Sequence, residues 1–222
     1  MGTVAFLDQA KPLYPFLTVA ETLQLGRRLN PSWDAGYARQ LVDQAGLPLA
    51  ARVRTLSGGQ RTRLAIALAF GRRPNLLLLD EPLADLDPLA RREVMQLVLS
   101  EVAESGTTLV ISSHVLSDVD GIADYLVLLN SGRVQLSGAT ETLVDQHALL
   151  VGPAPDGELD LGPHTVVEAR TTGRQLTALV RTAGPLDLPG WAVQPPTLEE
   201  LVLAYLRSPA APAARPVSEV VS

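Results

Sequence analysis

Leu76-Leu77-Leu78-Leu79-Asp80-Glu81-Pro82 is a run of four leucines that ends abruptly on two carboxylates. So short an apolar run, without alternation, fits a strand covered on both faces in a parallel sheet. Open sheets of that kind place ligands beyond the carboxyl ends of their strands. Asp80 and Glu81 emerge at that end. Their chemistry suits a hydrated Mg²⁺ held through water by Asp80, and a water activated by Glu81 for attack on a phosphoryl group. The plain alternative is a polar strand end meeting solvent, but two adjacent carboxylates beside a fully apolar strand are costly without a task.

Upstream lies Leu56-Ser57-Gly58-Gly59-Gln60, followed by an Ala/Leu-rich segment up to Phe70. Ser57 is a good helix N-cap, and the two glycines let a ligand approach backbone closely. Free amides and the helix dipole then make that end suited to an anion. Taken alone, Ser-Gly-Gly more often marks an ordinary turn before a core helix. Downstream, Asp85-Leu86-Asp87-Pro88 reads as a turn in which Asp87 caps a helix from Pro88 to Val102. Thr107–Ser112 is a second buried strand, and His114 follows it. Parallel placement would bring His114 to the same edge as Glu81, where it could touch a terminal phosphate or steady the attacking water.

Working outward, Val4–Leu7 is a short strand that leads to Gln9. Thr18-x-x-Glu21 is a capping box that opens a helix through Leu29. A second amphipathic helix spans Ala35 to Ala45 and stops at Gly46. After His114 the sequence predicts a short helix over Val115–Ala123, then a hairpin of Tyr125–Leu129 and Arg133–Leu136 around Asn130-Ser131-Gly132. Residues 149–163, rich in Gly, Pro and Asp, read as a linker or weak hairpin. Val166–Ala169, Gln175–Arg181, Trp191–Val193 and Leu198–Arg207 then read as strand, helix, strand and helix. Ser208 to Pro216 is Pro/Ala-rich and reads as a disordered tail.

Composition narrows the function. The net charge is -6, so nucleic acid has no electrostatic footprint here. Cysteine is absent, which removes disulfides, thiolate metal sites and a cysteine nucleophile together. No apolar run approaches the roughly 20 residues needed to cross a bilayer, and MGTVAFLDQ lacks the basic and apolar regions of a signal peptide. The chain reads as soluble and cytoplasmic.

In this order the motifs resemble the nucleotide-binding domain of ABC transporters, over roughly residues 3 to 145. Gln9 matches the Q-loop glutamine, Leu56–Gln60 the LSGGQ signature, and Leu76–Glu81 Walker B with its catalytic glutamate. Ala84–Asp87 matches the D-loop and His114 the switch histidine. The layout around Pro31-Ser32-Trp33-Asp34 and Pro196–Leu201 is similar to ATPases that pair with ABC-2-type permeases, often exporters. The resemblance implies an α/β, P-loop-NTPase-like, mainly parallel sheet with a helical subdomain, and a small C-terminal α/β appendage. It implies a cassette over 1–145, an accessory region over 146–207 and a tail over 208–222. Glu81, His114 and Gln9 would be catalytic. Ser57, Gly58, Gly59, Gln60 and Asp87 would bind nucleotide, and Asp80 with Gln9 would hold Mg²⁺ through water. ATP and Mg²⁺ are the implied cofactors. A membrane permease and a second cassette, identical or not, are the implied partners, with the chain on the inner face of the cell membrane.

The family's P-loop, Gly-x₄-Gly-Lys-Ser/Thr, precedes the Q-loop glutamine, whereas Lys11 is the sole lysine here and follows Gln9 without glycines around it. The expectation is therefore a cassette represented without its amino-terminal part, and inactive alone. Two other readings stand beside it. One is an incomplete interaction module that supplies the signature to a partner cassette. The other is a soluble ABC ATPase acting outside transport.

Overall fold

The computed structural model describes residues 4–155 and 161–208. Leu76–Leu79 forms β2, the middle strand of a three-stranded parallel sheet ordered β1-β2-β3. Its neighbours are β1 (Val4–Leu7) and β3 (Thr108–Ile111). Leu7 aligns with Leu79, and Leu79 with Ile111, so all three strands end at one level. Ala5, Leu7, Leu77 and Leu79 point into the core, against α3 (Gly58–Phe70), whose Leu64, Ile66 and Phe70 are fully buried. Truncating one such leucine to alanine costs about 2–5 kcal/mol. The expectation of cover on both faces is corrected. Leu76 and Leu78 are only half-buried, and Phe6 and Val110, their neighbours on that face, are 58% and 54% exposed.

Helix α1 (Val19–Leu29) starts with the capping box of Thr18 and Glu21, as its sequence predicts. Helix α2 (Ala35–Gln44) is capped by Asp34, and Arg73 on the same carboxylate helps hold its pKa below the usual range, after the Tyr37 amide. The long helix α4 runs over Pro88–Ser105. Tyr37 of α2 donates its hydroxyl to the buried carboxylate of Glu101 in α4. Burial and that carboxylate push the Tyr37 phenol upward in pKa, so it stays a donor. This bond ties the helices beside the sheet to the helix that follows the site.

The chain forms two compact units, one ending at Asp118 and the next starting at Val119. Residues 119–145, grouped by motif with the first region, lie in the second unit. A helix over Val115–Ala123 does not form; only a 3₁₀ turn at Leu116–Asp118 is present. Ser113 explains this locally, because its hydroxyl bonds both the carbonyl and the amide of Val115 and closes a tight turn of its own.

In the second unit, β4 (Tyr125–Asn130) and β5 (Arg133–Ala139) make the expected hairpin. Next come α5 (Thr140–Asp145), β6 (His147–Pro153), β7 (Thr165–Thr172), β8 (Gln175–Arg181), β9 (Ala192–Gln194) and α6 (Leu198–Arg207). The last four strands form one antiparallel sheet ordered β7-β8-β6-β9. Two expectations fail here. The supposed linker from residue 149 begins inside a buried inner strand, β6. Gln175–Arg181 is a strand and not a helix: Leu176, Ala178 and Val180 share one face, and Leu179 is buried on the other. Gly152 belongs in β6 because a Cβ there would meet the Trp191 ring at 2.2 Å. The expected disordered tail falls, beyond Ser208, outside the described residues.

His147 pins α6 to this sheet. Its Nδ1 donates to the Leu143 carbonyl at 2.6 Å, so in the neutral ring Nε2 accepts from the Tyr205 hydroxyl at 2.9 Å. Burial holds the His147 pKa below the usual value. With the folded value depressed, the unfolded chain binds the proton first. The contribution to stability is therefore complete above about pH 6.5 and is lost as pH falls through the folded pKa. Melting of the second unit between pH 7.5 and pH 5 checks this: the temperature is expected to fall with acid, and less steeply in His147→Gln.

Candidate functional site

The parallel register delivers the chain from three strands to one edge. One rung beyond the strands, the Asp80 amide donates to the Leu7 carbonyl and the Ser112 amide to the Leu79 carbonyl, both at 2.9 Å. The Ser112 hydroxyl then donates to Asp80 Oδ1 at 2.7 Å and accepts from the Glu81 amide at 2.8 Å. Glu81 turns off the strand with φ of 44°, a left-handed conformation that costs a non-glycine residue about 1–2 kcal/mol. His114 Nδ1 lies 2.8 Å from Glu81 Oε2. An ionised carboxylate only accepts, so the imidazole Nδ1 carries the hydrogen in this pair. The His114 side chain is 68% exposed, against 20% for Glu81, so the ring stands over the carboxylate and faces outward.

Gln9 lies two residues beyond β1 at the same edge and is exposed. Asp8 shapes the turn that holds it, taking the Ala10 amide on its side chain and the Lys11 amide on its carbonyl. Burial lowers the Lys11 pKa, opposed by the Asp85 carboxylate and reinforced by Arg61. The strand ends thus gather Gln9, Asp80, Glu81 and His114. Ser112 escaped the sequence reading, because a serine ending a strand has no distinguishing pattern before its partners are known.

The second cluster sits at the start of α3. Ser57 Oγ accepts from the Gln60 amide at 3.2 Å, and Gln60 Oε1 accepts from the Ser57 amide at 3.0 Å. The capping box engages Gln60 with its own helix end. The Gly58 and Gly59 amides, in the first turn, have no intrahelical acceptor and stay available to an anion. Gly59 also allows close packing, since a Cβ there would sit 3.1 Å from that of Ala90 in α4. Asp87 caps α4 through the Leu89 and Ala90 amides at 3.1 and 2.9 Å. Ser57–Gln60 and Asp85–Asp87 line one open hollow of about 330 Å³. Among the described residues no hydrogen bond joins this hollow to the Asp80–Glu81 pair.

Among the described residues no group of three or more His, Cys, Asp or Glu could cage a metal ion. A lone carboxylate such as Asp80 nevertheless fits Mg²⁺, which keeps several waters and commonly takes one or two carboxylates beside substrate phosphates.

Residues 1–84 match the family model described as ABC transporter. The ABC transporter ATP-binding protein YtrB of Bacillus subtilis is 33% identical over 131 residues, which are 59% of this chain and 45% of YtrB. The thiamine import ATP-binding protein ThiQ of Escherichia coli is 38% identical over 152 residues, 65% of each chain. Among solved structures, the dimeric post-hydrolysis state of the ATP-binding cassette MJ0796 bound to ADP and Pi aligns with a TM-score of 0.54 at 26% identity. That alignment covers 62% of this chain and 63% of the cassette. The chain therefore spans less than two thirds of the length of these relatives.

Asp87→Ala should remove the cap of α4 and destabilise the first unit by about 1 kcal/mol, the usual cost of such a cap. Chemical denaturation checks it. Asp87→Asn, which keeps an accepting oxygen, is expected to recover most of the loss.

Proposed function

Because this chain carries an ABC transporter ATP-binding domain, we propose that it serves as the ATP-hydrolysing subunit of a transporter, working with a second cassette and a separate membrane permease. The observation that carries the reading is the shared strand edge, where one residue pair, Asp80 and Glu81, is bound to Ser112 and His114 from the adjacent strand's end. Where a phosphate-gripping loop completes this edge, bound Mg²⁺–ATP would supply the phosphoryl group and its charge neutralisation. Glu81 accepts hydrogen bonding from the attacking water and draws it into line. His114, held by that carboxylate through Nδ1, turns its exposed side toward the terminal phosphate. Asp80 and Gln9 would hold Mg²⁺ through water.

The signature acts on a different nucleotide. Ser57, Gly58 and Gly59 present a helix N-terminus, which favours phosphate bound by a second cassette. A complete site also requires a phosphate-gripping loop, and these 222 residues contain no Gly-x₄-Gly-Lys-Ser/Thr segment. Two copies of these 222 residues alone thus build no site, whereas one copy facing an intact cassette builds one. The catalytic glutamate of that site comes from the intact partner.

The permease assignment draws on the segment after Gln9. Leu13 and Leu17 are half-buried, whereas Tyr14 and Phe16 are 64% and 71% exposed. Leu13 and Tyr14 line an apolar cavity of about 340 Å³ together with Leu25, Leu29, Trp33 and Leu68, and Phe16 lies two residues further along the same segment. Exposed aromatics beside an apolar groove suit a partner helix. No helix among the described residues is long and apolar enough to cross a membrane, so contact with the bilayer's inner face would run through the permease.

A mixing experiment tests the signature reading. The chain is combined with a full-length cassette whose own signature is disabled. ATPase activity is expected to return, and Ser57→Arg in this chain to abolish it. No rescue by a demonstrably folded chain would refute the reading. For the permease, Tyr14→Ser with Phe16→Ser in the assembled transporter should leave basal ATP hydrolysis intact while removing stimulation by the permease. Loss of the cooperative melt instead would assign those rings to packing.

A further inference from the structure

We propose that Ser112 is a positioning residue for the Asp80–Glu81 pair, a hydroxyl clasp that commits both carboxylates to the open edge. The proposal rests on the reading of these two residues as the working carboxylates of an ATP site. One hydroxyl has one hydrogen to give and lone pairs to receive with. Here it spends the hydrogen on Asp80 Oδ1 at 2.7 Å and receives the Glu81 amide at 2.8 Å. Both bonds cross from the end of β3 to the end of β2, and the Ser112 amide fixes the hydroxyl's origin by pairing with Leu79.

Two consequences follow from this geometry. The hydroxyl holds Asp80 through Oδ1, which narrows its choice of rotamer. Glu81 sits in a left-handed conformation that its own side chain disfavours. The bond to its amide supplies a specific opposing contribution, and it aims the side chain at His114. Asp80 and Glu81 are neighbours in sequence, and an extended strand would send neighbouring side chains to opposite faces. The left-handed turn at Glu81, clasped by Ser112, is what lets both serve one site.

The clasp makes a local claim that does not require nucleotide. In the 222-residue chain, Ser112→Ala should lower hydrogen-exchange protection of the Glu81 amide about tenfold, the worth of one hydrogen bond. It should also shift the ¹³C resonance of the Asp80 carboxylate, while that of Asp34 stays in place. Ser112→Thr, which keeps the hydroxyl, should restore both signals. Unchanged signals in Ser112→Ala would overturn the proposal. So would a threonine variant that behaves like alanine, or a loss of protection spread through β2 and β3, which would make Ser112 merely structural. Failure of the mixing experiment leaves these signals untouched, so the clasp and the ATP-site reading fail separately.

Discussion

The functional edge depends on one constraint, the parallel register that levels Leu7, Leu79 and Ile111. Parallel strands carry their chain direction with them, so three loops leave from one side and their first polar residues become neighbours. The backbone bonds of Asp80 to Leu7 and of Ser112 to Leu79 extend that alignment by one rung. Slipping β1 or β2 by one residue would turn its buried side chains outward and withdraw its loop from the edge. The register is therefore enforced by the core, through buried residues such as Leu77 and Leu79.

The signature uses a different device. Its helix end satisfies part of its own backbone through the Ser57–Gln60 capping box and leaves the glycine amides for an outside anion. The proposed anion site and the helix cap thus share the same four residues. The turn at Asp85–Asp87 lines the same hollow, and its Asp87 caps the next helix. Strand edge and hollow are built by separate elements.

The second unit is held by antiparallel pairing and by a buried polar contact, His147 with Tyr205, which fixes where α6 lies.

Sequence alone determined what depends on short-range physics. The capping box at Thr18 and the N-cap at Ser57 were readable because each closes within four residues, whereas the box at Thr197, just before the segment read as helical, was not read. The strand at Leu76–Leu79 was legible from its unbroken apolarity, and the motif order located Gln9, Asp80, Glu81 and His114. Tertiary structure decided the rest. Gln175–Arg181 has an apolar run that suits helix or strand equally, and pairing with β6 and β7 chose strand. Residues from 149 onward resemble a linker by composition, yet Gly152 is there to admit the Trp191 ring across space. Ser112 is the clearest case: a hydroxyl acquires meaning only from what stands within 3 Å of it. The partners of Ser112 lie thirty-odd residues back along the chain and come within reach only when β3 pairs with β2.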